Sequence, residues 1–263
     1  MLKAVAELCD KYGIHYTIYC GTLLGAVRHG GFIPWDDDVD IAMPLKDYRK
    51  FQMISKELPN RFKCCFYASE PDSFCLWTKI KANGTTSMQV EDAPLDIHWG
   101  LFVDIYPIIG AARTNLGVKI QNEMLLLARR LRTGSLYRAR KDKDAIRRVV
   151  GLIPFPLRKA VSDLLLQIAM KDPEKCERIG TIDAAPFEGK YAREDWQEMT
   201  RLRFEDCEFS APAKYDKILR RIYGDYMKLP PVEMRHGHIK EDRETIIDPY
   251  RDYRDYRLEI MGS

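Results

Sequence analysis

The apolar positions of the first dozen residues recur at helical spacing. Leu2, Val5, Ala6, Leu8 and Cys9 fall on one side, which predicts a helix over Leu2–Tyr12 with Gly13 as its stop. The next run, His15–Cys20, is rich in β-forming residues and ends at Gly21, so it predicts a strand. Thr22 is placed to cap a short helix running through Arg28 and ending at Gly30-Gly31. A loop with Pro34 leads to a strand over Asp38–Met43, closed by Pro44, and Tyr48, Phe51 and Ile54 mark a helix over Lys46–Leu58. Further strands are expected at Arg61–Ala68, Cys75–Ala82 and Leu101–Tyr106. From about Asn115 to Met170 the period is helical, interrupted at Gly134 and at Pro154 and Pro156. Leu202–Phe209 reads as a hairpin arm and Tyr215–Tyr223 as a helix stopped at Gly224. With no internal repeat or low-complexity linker, the pattern describes an α/β (α+β) core in residues 1–110. A mainly helical region, 111–263, packs on that core as one structural unit.

Composition narrows the class. With 46% apolar and 31% charged residues over 263 positions, the chain reads as an ordinary globular protein. Its longest apolar runs, such as Met124–Ala128 and Ser162–Met170, fall short of the roughly 20 residues that span a bilayer. No basic and apolar leader opens it, and the seven cysteines form no CxxC pair, so a reduced, cytoplasmic protein is expected. The net charge of +3 gives no ground for a nucleic-acid partner. The basic residues do cluster, however: between Arg129 and Lys159 stand eleven Lys and Arg against Asp142 and Asp144. Such a block fits an anionic membrane surface or a polyanionic acceptor, or else a solvated helical face.

The strongest chemical signal is Ile33-Pro-Trp-Asp-Asp-Asp-Val-Asp-Ile-Ala-Met43. On a strand, Asp38 and Asp40 point to one face about 6.6 Å apart, a spacing at which two carboxylates converge on a hard cation such as Mg²⁺. Asp104 interrupts the apolar Leu101–Tyr106, where an unpaired charge is costly and a metal would explain it. A calcium loop is excluded, because Ile41 and Asp47 stand where that motif needs glycine and glutamate.

Around this cluster lie candidate donor contacts. Cys20-Gly-Thr-Leu-Leu-Gly25 reads as a sharp turn into a helix, with Gly21 allowing close backbone approach and the helix N-terminus at Thr22 offering N–H groups to phosphate. Trp77, Lys79 and Lys81 share a strand face, where the lysines could neutralise phosphates or guard a sheet edge. Arg28 and His29 end the short helix, and Trp35, Trp77 and Trp99 could wall a base or a quaternary ammonium. No Walker sequence, GxGxxG or Ser/His/Asp order appears, and His236 and His238 read as surface residues.

Gly21-Thr-Leu-Leu-Gly-Ala-Val-Arg-His29, followed by Gly31-Phe-Ile-Pro-Trp-Asp-Asp-Asp-Val-Asp40, closely resembles the signature of the LicD phosphotransferase family, which includes bacterial phosphocholine transferases and the fukutin-related ribitol-phosphate transferases. Gly100–Pro107 and Tyr223–Pro231 also look like family segments, so the resemblance covers nearly the whole chain. It implies a nucleotidyltransferase-type mixed β-sheet with flanking helices, and Asp38, Asp40 and Asp104 as a catalytic triad holding Mg²⁺ or Mn²⁺. The donor it implies is cytidine-diphosphate-linked, CDP-choline first among them. The implied acceptor is a sugar or polyol hydroxyl, free or lipid-linked, on a teichoic acid or lipopolysaccharide precursor at the inner face of the membrane. Gly21, Thr22, Arg28, Trp35, Lys79 and Lys81 are then the donor-binding set. One departure is Leu45, where the family usually has arginine. In the expected reaction Asp104 takes the acceptor hydroxyl's proton, the distal phosphorus is attacked in line, and a nucleoside monophosphate leaves. The rivals are nucleotidyl transfer with release of pyrophosphate, and an inactive relative that binds glycopolymer or membrane.

Overall fold

The structure is a computed structural model that describes residues 1–66, 69, 70, 73, 75–134, 145–183, 185–235, 237 and 244–262, with the backbone alone of 145–148. Helix α1 spans Leu2–Tyr12, buries the expected stripe, and stops where Gly13 turns left-handed at φ 58°. The expected strand over His15–Cys20 narrows to Thr17–Ile18 (β1), because Cys20 already opens helix α2, Cys20–Arg28. Strand β2 begins at Asp40 and ends at Pro44, and α3 covers Leu45–Ile54. The next strands are β3 (Phe62–Cys65), β4 (Thr78–Ala82), β5 (Thr86–Gln89) and β6 (Phe102–Gly110). Of the predicted Arg61–Ala68 strand, Tyr67 and Ala68 lie outside the described residues.

The chain then turns helical: α4 (Asn115–Arg132), α5 (Ala145–Leu152) and α6 (Phe155–Ala169), broken where Gly134 and the two prolines predict. Beyond them the region is more mixed than its periodicity indicates. Strands β7 (Arg178–Thr181) and β8 (Tyr191–Ala192) return to the sheet, β9 (Met199–Phe204) and β10 (Cys207–Pro212) form a hairpin, α7 spans Tyr215–Tyr223, β11 is Thr245–Asp248 and α8 is Tyr253–Gly262. Short strands such as Tyr191–Ala192 carry too few residues to show a period.

The main sheet runs β1-β2-β6-β4-β3, with β7 on β6 and β8 on β7. Strands β2 and β6 are parallel, and their register sets Asp40 directly against Asp104. Strand β4 is antiparallel to β6, which sets Lys79 against the same Asp104. Ile41, Ile80 and Ile105 are fully buried in the sheet, so the strands that carry the acids are held by core packing. One hydrophobic cluster joins α1 to residues as distant as Ile218 and Tyr226.

The basic block divides on folding. Arg132 and Arg158 are buried: Arg132 bonds Ser162 and Asp163, and Arg158 donates to the carbonyls of Leu131 and Ile153. Arg158 therefore caps the end of α4, and both arginines pin the α4–α6 pair. Lys159 pairs with Asp163 at 2.6 Å. Arg138, Arg140, Lys141 and Lys143 lie outside the described residues, as do the side chains of Arg147 and Arg148.

Candidate active site

The sheet register makes the site. Asp40 and Asp104 are neighbours on parallel strands, both nearly inaccessible at 6% and 4% exposure. Burial, then the nearby charges of Asp38 and Asp104, push the Asp40 carboxyl well above the ordinary carboxylate range. Its Oδ1 is buried without a hydrogen-bond partner. Asp38 stands just ahead of β2, not within it, although the ladder extends toward it through the bond from Asp104 N–H to Val39 O, 2.8 Å.

Asp104 is firmly oriented. Trp77 Nε1–H donates to its Oδ1 at 2.8 Å, Lys79 Nζ donates to Oδ2 at 2.8 Å and lies 2.6 Å from Oδ1, and the Tyr106 hydroxyl reaches Oδ2 at 3.4 Å. Burial, the largest single influence, pulls the Lys79 ammonium's pKa down, but Asp104, Cys75 and Asp40 together raise it above the ordinary lysine value. Burial, with Asp104 and Asp40 adding, drives the Tyr106 hydroxyl far up, so it acts as a donor.

Thr22 has a different task from the expected cap. It sits inside the first turn of α2, and its hydroxyl accepts the N–H of Asp40 at 2.8 Å, tying the helix start to the acid-bearing strand. Gly21 leaves room for an acid: a Cβ there would stand 2.4 Å from Asp36 Oδ2. Cys20 carries a left-handed backbone, φ 43°, which is costly without glycine and recurs at working sites. Its thiol is held protonated, since burial first and Asp40 next raise its pKa, which removes it as a nucleophile.

Gly21, Arg28, Trp35, Asp38, Asp40, Trp77 and Asp104 line a cavity of about 790 Å³. Its other walls come from late in the chain: Asp183, Lys190, and the stretch from Tyr223 to Pro231. Arg28 Nη1 donates to the Tyr226 carbonyl at 2.8 Å, joining α2 to that stretch. Trp35 lies under the Arg235 guanidinium, 5.3 Å from its ring. Of the residues expected from sequence, Lys79 reaches the triad through Asp104. Lys81 does not: it bonds the His98 carbonyl, pairs with Glu70 at 3.6 Å, and lines a second cavity. Asp183, Lys190 and Tyr106 went unread in the sequence; Tyr106 carried a signal, standing two residues from Asp104 on the same strand face.

A hard cation fits this donor set. Asp40 offers an unpartnered buried oxygen, and its neighbouring acids repel it unless a cation or a proton intervenes. Asp36, Asp37 and Asp38 form a further group, with one carboxylate oxygen from each within 4.8 Å of the others.

Residues 13–125 match the family described as LicD/FKTN/FKRP, nucleotidyltransferase domain. Over 253 residues the chain is 28% identical to the lipopolysaccharide cholinephosphotransferase LicD of Haemophilus influenzae, covering 89% of this chain and 90% of that protein. A 45-residue stretch is 46% identical to the ribitol 5-phosphate transferase FKRP of Homo sapiens, 17% of this chain and 9% of that one. An uncharacterised protein of Rickettsia typhi shares 48% over 66 residues, 24% of this chain and 21% of that one. The buried acids in register, the helix that opens at Cys20-Gly21 beside them and the relative matched nearly end to end agree with one another, and residues 13–125, which hold all three acids, match the LicD/FKTN/FKRP family of nucleotidyltransferase domains.

Proposed function

We propose that this protein transfers phosphocholine from CDP-choline to a hydroxyl of a cell-surface glycopolymer or its precursor, with Mg²⁺ or Mn²⁺ held by Asp38, Asp40 and Asp104. The observation that carries this reading is the unpartnered Asp40 Oδ1, buried in register with Asp104. The relative matched along 90% of its length is named a lipopolysaccharide cholinephosphotransferase, which supports the choice of group and acceptor.

The cation, when bound, supplies charge neutralisation on the donor's diphosphate oxygens. The chain's own residues do the rest. The start of α2 with Arg28 and Lys190 receives the nucleotide end of the donor in the larger cavity. Trp77 and Lys79 hold Asp104 in one orientation, and Asp104 accepts the proton of the incoming hydroxyl. The hydroxyl oxygen bonds to the distal phosphorus as the bond to the nucleotide's phosphate oxygen breaks, and CMP departs. Tyr106 remains protonated beside the acids and donates into the site.

Contact with a membrane surface fits the same reading, because a lipid-linked acceptor stays at that surface. Leu157, Val161, Leu164 and Ile168 lie on one face of α6, 39–57% exposed, and Leu116, Ile120 and Leu127 form a matching exposed stripe on α4. Lys119 and Arg130 flank the α4 stripe and are exposed. Basic groups beside an apolar face suit anionic lipid, whereas a symmetric pair of copies would bring those cations together. Among the described residues no helix is long and apolar enough to cross a membrane.

The test follows ³¹P signals with Mg²⁺, candidate acceptors, and either CDP-choline or the four nucleoside triphosphates. CMP and a new phosphodiester are expected from CDP-choline. Pyrophosphate from a triphosphate, with CDP-choline untouched, would move the protein to nucleotidyl transfer.

A further inference from the structure

A second cavity, about 560 Å³, shares Asp38 and Trp77 as wall residues with the first. One side of it is the ribbon of β5 and β11. The register pairs Ser87 with Ile247 and Gln89 with Thr245, so these four side chains share a face, and all four line the cavity. Lys79 and Lys81 of β4 and the indole of Trp99 line it as well.

The chemistry of this cavity differs from that of the first. Its lysines are already matched, Lys79 by Asp104 and Lys81 by Glu70, so a charged guest would have to break buried pairs and a neutral one would not. The Trp99 indole N–H is buried in the wall without an acceptor, which leaves a donor to be satisfied by an oxygen. Ser87, Gln89 and Thr245 add hydroxyl and amide groups, while Trp77 and Trp99 add flat apolar surface. A neutral molecule with many oxygens and C–H faces matches that lining.

Position gives it a role. In-line displacement needs the attacking oxygen and the leaving oxygen on opposite sides of phosphorus. The first cavity holds the phosphate-binding groups and so takes the nucleotide. We infer that the second cavity seats the sugar or polyol bearing the accepting hydroxyl, and that its opening at Asp38 and Trp77 presents that hydroxyl to the phosphorus. This rests on the transfer reading above.

Ser87→Phe tests it, because Ser87 lines the second cavity and not the first. Two rates are read: CMP release from CDP-choline without acceptor, and transfer onto ribitol and methyl hexosides. The variant keeps acceptor-free CMP release and its melting temperature, while KM for the polyol rises at least about tenfold, equal to roughly 1.4 kcal/mol. Ser87→Ala, which removes one hydroxyl but leaves the space open, raises that KM far less than Ser87→Phe does. Three results overturn the inference: CMP release falling in step with transfer, transfer unchanged in Ser87→Phe, or a wild-type protein that hydrolyses CDP-choline yet uses no sugar or polyol. If wild type releases CMP from no donor, the transfer reading itself fails. Quenching of Trp77 and Trp99 emission by ribitol, present in wild type and lost in Ser87→Phe, then still decides for or against the cavity.

Discussion

The sheet half of the molecule and the half after Gly110 treat charge in opposite ways. In the sheet, Asp104, Lys79, Lys81, Glu70 and Asp40 are withdrawn from water, and all but Asp40 stand in close ion pairs. In the later half, apolar residues of α4 and α6 face solvent, and two lysines, two aspartates and two tyrosines line an open cavity from loops and a helix end. Buried, mutually fixed charges suit chemistry, because their field needs no rearrangement when a transition state forms. Accessible groups on late segments suit holding and locating substrates. On the function proposed above, the contrast divides the labour: the half with the three acids sets whether reaction occurs, and the later half sets what is brought to it.

The largest expected effect breaks this contrast if it fails. Asp40→Asn and Asp38→Asn each lower turnover to below about one part in 10³, measured as CMP release with Mg²⁺. Either variant retaining near wild-type turnover would remove the acids from the chemistry. Lys190→Ala sharpens the other side: KM for CDP-choline rises roughly 10- to 100-fold, the worth of one charge-assisted hydrogen bond, while kcat holds. A fall in kcat without a change in KM would place Lys190 with the triad.

Next in size is binding to vesicles. Leu157→Glu with Leu164→Glu reduces co-sedimentation with anionic vesicles about tenfold or more, since each swap removes an apolar side chain worth roughly 1.5–3 kcal/mol. Activity on a water-soluble acceptor is unchanged. Co-sedimentation that ignores both the leucines and added salt would leave the apolar stripes without a lipid role.

The smallest effect is on stability. Asp40 has its folded pKa raised, so the folded state holds that proton more tightly than the unfolded chain does. Its contribution is favourable below the ordinary carboxylate range and is lost as pH rises through the folded value. Asp40→Asn therefore melts higher than wild type in chelator at neutral pH, on the order of 2–4 °C per kcal/mol relieved, and the gap closes toward acid. Added Mg²⁺ raises the wild-type melting temperature and leaves the variant where it is. A variant that melts lower at neutral pH would mean that Asp40 is not under repulsion.

The parts of this site that were legible in the sequence are those close together in it. Gly21, Arg28, Trp35, Asp38 and Asp40 fall within twenty residues, and all line the first cavity. Helix α1 and helix α7 were equally clear, since each shows its period and ends at a glycine in a positive-φ conformation. What sequence could not give was register. Lys79 and Lys81 are equivalent by alternation, and only the antiparallel pairing with β6 sets Lys79 against Asp104 and leaves Lys81 to Glu70. Thr22 misled for a related reason: Ser and Thr at a helix start ordinarily cap it, whereas here the hydroxyl serves a strand eighteen residues on. Asp183 and Lys190 gave no local signal, since they reach the cavity through β7 and β8, strands too short for a pattern.

The ribbon of β5 and β11 adds an element of time. Asp104 and Thr245 are 141 residues apart (245 minus 104), so at about 5–20 residues per second a ribosome needs roughly 7–28 s to pass from one to the other. For that interval the growing chain contains all three acids but not the strand that walls the second cavity. On the inference drawn for that cavity, capture of an acceptor is among the last abilities a nascent molecule gains. If the two cavities divide donor and acceptor as proposed, a protease that removed residues from Thr245 onward would leave donor cleavage to water and abolish transfer.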